Sequence, residues 1–118
     1  MGMIQVVLKV KNPKEPQRQI RDKFLVDSGA AFTVLPAALV KKLGLEPVYE
    51  KEFSLADGKV VKRKIGSALI ELRGIELPSA VVLGKKNDSK LLGVLTLESF
   101  GLALDPFERK LYKARLML

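Results

Sequence analysis

The 118-residue chain contains no cysteine and no histidine. The first absence excludes disulfides, cysteine nucleophiles and thiolate metal sites. The second excludes Ser–His–Asp triads and nearly every transition-metal site. No metal or other cofactor is expected, so any catalysis must fall to carboxylates, hydroxyls, lysines or backbone dipoles. No apolar run approaches the roughly 20 residues that cross a bilayer, so no membrane partner is expected. The opening residues Met1-Gly2-Met3-Ile4-Gln5 lack a basic segment leading into an apolar one, which makes a cytoplasmic location the expectation. Aromatics are also scarce, with five Phe, two Tyr and no Trp. Lys and Arg number 21 against 13 Asp and Glu, a net charge of +8. That excess favours solubility and attracts anions, but without a stacking motif a nucleic-acid binder is the weakest of three readings.

What is present describes one folded domain over residues 1–118. Hydrophobic residues make up 47% and charged residues 29%, outside the range of disordered chains. Ile4, Val6, Leu8 and Val10 alternate at period two, the pattern of a half-buried strand. The segment Lys11-Asn12-Pro13-Lys14-Glu15-Pro16 breaks it, and Ile20 to Val26 reads as a second strand closing a hairpin. Asp27-Ser28-Gly29-Ala30-Ala31 follows as a tight turn of small residues. Pro36 to Leu43 reads as a short helix, with proline at its first position, Lys41 and Lys42 in its last turn and Gly44 as its stop. Val48 to Ile65 reads as a hairpin turned at Asp57-Gly58, where both central residues are expected at positive φ. Ala68 to Leu72 and Ile75 to Leu83 read as two further strands. Leu91-Leu92-Gly93 reads as a buried strand end before a helix at Val94 to Phe100. Leu102 to Asp105 and Leu111 to Leu116 form a last hairpin. The sum is an all-β domain with two short helices. The order strand, helix, Gly-Leu occurs at Phe24 to Leu45 and again, shorter, at Leu91 to Leu102, as a duplicated unit would.

The chemistry concentrates at Asp27. A carboxylate directly after the apolar strand Phe24-Leu25-Val26 lies near the interior, which is costly unless it is hydrogen-bonded or functional. Taken alone, Asp-Ser-Gly reads equally as a turn in which the aspartate caps the following amides. The longer segment Phe24-Leu25-Val26-Asp27-Ser28-Gly29-Ala30-Ala31-Phe32-Thr33-Val34-Leu35-Pro36 resembles the active-site segment of retropepsin-like aspartic proteases. The Asp57-Gly58 hairpin stands where that family has its flap, and Leu91-Leu92-Gly93 is similar to its apolar-apolar-Gly element before a helix. These motifs span roughly residues 4 to 116 in the family's order.

The resemblance implies a closed retropepsin-like barrel with one catalytic Asp per chain, paired across a homodimer. It implies that Asp27 is the catalytic carboxylate, with Ser28, Gly29 and Ala30 supporting the loop. Leu55, Ala56, Asp57 and Gly58 would form the flap over a peptide or unfolded-protein substrate. Leu92 and Gly93 would pack below the site. Lys59, Lys62, Arg63 and Lys64, on the returning arm, read as a solvated edge. Asp57 and Asp105 read as turn residues. The C-terminal hairpin is longer than the single terminal strand of retroviral members, which argues against their interleaved termini. Leu111 to Leu118 is nonetheless expected to contribute to the dimer interface, because Leu116-Met117-Leu118 is apolar. The leading function is an aspartic endopeptidase; the alternative is a catalytically silent dimerisation or peptide-binding module of the same fold.

Overall fold

A computed structural model describes residues 4–115. Leu116, Met117 and Leu118, assigned above to the interface, lie outside the described residues. Nine strands and two short helices follow in order: β1 Gln5–Lys11, β2 Gln19–Val26, β3 Thr33–Leu35, α1 Ala37–Leu43, β4 Tyr49–Ser54, β5 Val60–Leu72, β6 Ile75–Leu83, β7 Leu91–Leu92, α2 Val94–Ser99, β8 Leu102–Asp105 and β9 Lys110–Lys113. Seven strands form one sheet in the order β1-β2-β7-β3-β6-β5-β4, and β1 also pairs with β5. The strands β1 to β7, β4 excepted, thus close into a ring. β4 extends beyond it as one arm of a hairpin, and β8–β9 form a separate two-stranded sheet.

The expected β1–β2 hairpin is present, with Val10 opposite Ile20 and Val6 opposite Phe24. The alternation places Leu8, Val10 and Phe24 fully inside the ring, beside Leu35, Ile70, Val81 and Leu92. Each such side chain contributes about 1.5–3 kcal/mol on leaving water. The loop between β1 and β2 does more than connect them. Asn12 Nδ2 donates to the carbonyls of Leu43 (2.9 Å) and Gly44 (3.2 Å), and its Oδ1 accepts the amides of Lys14 and Glu15. Arg18 donates to the carbonyls of Lys41 and Lys42. These side chains satisfy the carbonyls that α1 leaves open at its end, where Gly44 takes the left-handed φ of 68°. Pro36 sits one residue earlier than expected, capping α1 rather than beginning it.

Three expectations are corrected. Residues 60–72 form one 13-residue strand rather than two. The buried phase changes within it. Val61, Arg63 and Ile65 occupy one face, whereas Ala68, Ile70 and Leu72 fill the core from the other, so the alternation looks broken at Gly66. Gly66 itself allows a close pass, because a Cβ there would lie 2.9 Å from the Glu46 carbonyl. Second, Asp57 does not have positive φ. Among the described residues, only Arg73 and Arg109 do so without being glycine. The hairpin tip is a three-residue loop instead: the Gly58 amide donates to the Leu55 carbonyl (2.9 Å), and Gly58 alone is left-handed at φ 86°. The two-residue turn with both centres at positive φ occurs at Arg73-Gly74, joining Leu72 to Ile75. Third, Thr33–Leu35 is a strand the pattern did not reveal. It is only three residues long, yet it pairs with β6 on one side and β7 on the other.

Candidate active site

Asp27 stands at the end of β2, half-buried, where the chain leaves the sheet. Its amide donates to the Leu92 carbonyl (3.2 Å), extending the parallel pairing of β2 with β7 by one residue. Its Oδ1 accepts the Gly29 amide at 2.8 Å, and its carbonyl accepts the Ala30 amide at 3.2 Å. The aspartate therefore does cap its own turn. That role fixes the carboxylate's orientation and leaves Oδ2 without a hydrogen bond from any described residue, so the turn and the functional reading coexist. A Cβ on residue 29 would lie 3.2 Å from Oδ1, so glycine keeps this approach open. Ser28 is exposed, and Ala30 half-buried.

The loop rests on the β7–α2 junction. The Val94 and Leu95 amides donate to the carbonyls of Ala30 (2.8 Å) and Ala31 (3.0 Å). Gly93 lies so close beneath that a Cβ would sit 2.3 Å from the Phe32 carbonyl carbon and 2.7 Å from the Ala31 oxygen. Its amide donates to Thr33 Oγ1 (3.1 Å), which donates in turn to Thr96 Oγ1 (2.7 Å). Ser79 Oγ lies 3.0 Å from Thr96 Oγ1 and donates to the Ala80 carbonyl. Since Ser79 spends its proton there, Thr96 is the donor to Ser79, and the three hydroxyls run in one direction. Leu92 and Gly93 thus lie below the Asp27 loop. Thr33, Thr96 and Ser79 were not singled out from the sequence; nothing in the spacing of three separate hydroxyls marks them as one network.

A cleft of about 520 Å³ opens between this loop and the β4–β5 hairpin. Gly29, Ala30 and Phe32 form one side, Phe53, Leu55 and Val61 the other. The Phe32 and Phe53 rings meet edge to face, with centroids 5.7 Å apart. Of the four residues assigned to the flap, Leu55 lines the cleft; Ala56, Asp57 and Gly58 form the exposed tip beyond it. The returning arm is not uniformly solvated. Lys62 and Lys64 face Glu52 and Glu50 across the strands, as opposite charges favour. Arg63 turns the other way, into the cleft wall, where its Nε lies 2.8 Å from Asp88 Oδ2. Hydrogen bonding to Arg63 holds the Asp88 carboxyl below its ordinary range and raises the guanidinium in return. Asp27 itself lines a smaller neighbouring cavity of about 180 Å³, with Ser28, Leu92, Leu97, Ala103 and Leu104, while Gly29 and Ala30 carry the loop into the larger cleft. The described residues contain no cluster of acidic side chains able to hold a metal.

A closed ring of strands, an Asp-Ser-Gly loop seated on an apolar-apolar-Gly element and an overhanging hairpin define a retropepsin-like protein. The model of the family described as "gag-polyprotein putative aspartyl protease" matches residues 18–99, well over half of the chain, and the chain belongs to that family. Among solved structures, the EIAV protease in complex with an inhibitor is similar with a TM-score of 0.61 at 16% identity, over 99% of this chain and 94% of that one. The retroviral protease-like domain of Ddi1 from Leishmania major gives 0.59 at 16% identity, over 98% and 91%. The Simian Foamy Virus (mac) protease gives 0.58 at 16% identity, over 82% and 94%. At identities this low, the structural likeness establishes the shared fold alone. No match is found among curated proteins.

Proposed function

We propose that the chain is an aspartic endopeptidase that acts as a homodimer on peptides or unfolded proteins. The observation that carries this reading is Asp27: one carboxylate, oriented by Gly29, on a buttressed loop whose next residues, Gly29 and Ala30, line the cleft, in a chain of the aspartyl protease family. Peptide hydrolysis needs a base to activate water and an acid to protonate the leaving group. Two adjacent carboxyls share one proton, because both cannot ionise cheaply, and so supply both roles. One Asp27 per chain requires a second chain, whose Asp27 meets the first across a two-fold axis.

The ionised carboxylate takes a proton from water as its oxygen attacks the scissile carbonyl carbon. The protonated carboxyl gives its proton to the carbonyl oxygen. Collapse of the tetrahedral intermediate breaks the C–N bond: the first carboxyl passes the proton it took from water to the departing nitrogen, and the second recovers a proton from a hydroxyl of the intermediate, restoring the shared-proton pair. In this reading Ser28, exposed at the base of the loop, bonds across the dimer; Gly29 and Ala30 keep room for the substrate backbone. The hairpin from Phe53 to Val61 covers an extended peptide and excludes water, with Leu55 facing it. Retention of Asp27, Ser28 and Gly29 together favours an active enzyme over a silent binding module.

The test is cleavage of an unstructured protein across acidic pH, with and without a statine peptide that mimics the tetrahedral intermediate. Cleavage that the statine peptide blocks, and that Asp27→Asn abolishes, is expected. Cleavage unaffected by Asp27→Asn would remove the proposal.

A further inference from the structure

The hairpin over the cleft and the loop on the cleft's far wall, residues 84–90, are separate in sequence and belong to different strand connections. One ion pair joins them. Arg63 Nε donates to Asp88 Oδ2 at 2.8 Å and Nη2 to Oδ1 at 3.2 Å, a two-point fork in which geometry as well as charge is fixed. Each partner is also tied to its own segment. Arg63 Nη1 donates to the Lys62 carbonyl (2.9 Å), and Asp88 Oδ2 accepts the Lys85 amide (2.7 Å). The Asp88 amide returns a bond to the Lys85 carbonyl (3.1 Å), so loop 84–90 is folded around this carboxylate. Gly84 permits the fold, since a Cβ there would lie 2.9 Å from Asp88 Oδ2 and 2.6 Å from the Leu35 carbonyl.

The pair is largely withdrawn from water, with side-chain exposures of 18% for Arg63 and 24% for Asp88. Both line the cleft. On the strand, Arg63 shares its face with Val61, which stands opposite Phe53. Beyond Lys64, where β5 leaves its ladder with β6, the hairpin's inner face meets the cleft wall through Phe53 on Phe32, an apolar contact that can slide, and Arg63 on Asp88, a directional one that cannot.

Resting on the protease reading above, we infer that Arg63 and Asp88 are positioning residues that lock the hairpin arm to the cleft wall and so set the width of the substrate cleft. A peptide lying in the cleft covers the pair and removes its remaining water, which strengthens the attraction. The pair thus favours the occupied, closed arrangement over the empty one. Its contribution belongs to binding and not to the chemical step, because neither side chain reaches the Asp27 loop by any hydrogen bond among the described residues.

The experiment compares wild type with Arg63→Gln, Asp88→Asn and the double variant, using a cleavable peptide and amide hydrogen exchange on the free proteins. KM should rise about tenfold in either single variant, with kcat changed less than about twofold. The double variant should be no worse than the singles, because the same ion pair is lost in each case. Exchange should quicken together in residues 49–65 and 84–90, while β1 and β2 keep their protection. Arg63→Lys keeps the charge but not the fork, and should recover only part of the KM. Single effects that add, an unchanged KM, or faster exchange in one segment alone would overturn the inference. If the wild type cleaves nothing, the protease reading fails, and the exchange pattern alone decides whether the lock exists.

Discussion

Replacing Gly93 with alanine tests how the Asp27 loop is held. The added methyl would lie 2.3 Å from the Phe32 carbonyl carbon, 2.4 Å from its oxygen and 2.7 Å from the Ala31 oxygen. Carbon atoms in contact rest at about 3.5–4.0 Å, so the loop and the β7–α2 junction must part by more than about 1 Å. The obstructing atoms are backbone, so no rotamer change relieves the clash. Three hydrogen bonds cross the gap: Gly93 amide to Thr33 Oγ1, Val94 amide to Ala30 carbonyl and Leu95 amide to Ala31 carbonyl. Overpacking costs about 1–3 kcal/mol, and weakening these bonds adds about 1 kcal/mol more. For a domain of this size a loss of about 2–4 kcal/mol lowers the melting temperature by about 10 °C. Gly74→Ala serves as the comparison. It has φ of 81° but nothing within 4 Å, so it carries only the backbone penalty of a side chain in the left-handed region, about 1–2 kcal/mol. Far-UV circular dichroism melts of the two variants and wild type measure both. A Gly93→Ala protein that melts with or above Gly74→Ala would refute the close seating of the loop.

Further outcomes follow from other contacts. Thr33→Val keeps the shape but leaves the buried Gly93 amide without an acceptor and Thr96 without its donor, and should cost about 1–3 kcal/mol in urea unfolding. Asn12→Ala removes four bonds that tie the β1–β2 loop to the end of α1; a loss of about 2 kcal/mol is expected, with exchange quickening first in residues 41–45. Asp88 and Asp22 are both held below the ordinary carboxylate range by hydrogen bonds to Arg63 and Lys90. A carboxyl lowered in the folded state adds stability above its unfolded pKa and loses it as pH falls through the folded one. Both pairs should therefore survive mild acid and be lost only as pH falls below the ordinary carboxylate range, and Asp88→Asn should make the acid limb of the stability curve shallower.

Much of the ring was legible because its strands carry one buried face. Leu8, Val10, Phe24 and Val26 alternate cleanly, and α1 ends at Gly44 where expected. β5 misled because it buries one face against the core and the opposite face against the cleft, so a period-two pattern cancels at the changeover. β3 was hidden because three residues show no period at all. Asp-Gly at positions 57 and 58 suggested the tightest turn, yet that turn occurs at Arg73-Gly74; a positive φ at arginine is set by the tertiary register of β5 and β6, not by local preference. At the site, Asp27, Gly29 and Gly93 were legible because each sits in a contiguous motif. The Arg63–Asp88 lock and the Thr33–Thr96–Ser79 chain join residues from separate segments, and only the folded arrangement brings them together.

The most direct test of a site shared between two chains is a mixing experiment. Wild type and Asp27→Asn are combined at constant total protein, allowed to exchange subunits, and assayed for peptide cleavage. If each site needs Asp27 from both chains, only wild-type pairs work, and an equal mixture retains about a quarter of the activity. An equal mixture that retains about half shows that each chain acts alone, and contradicts the shared carboxyl pair.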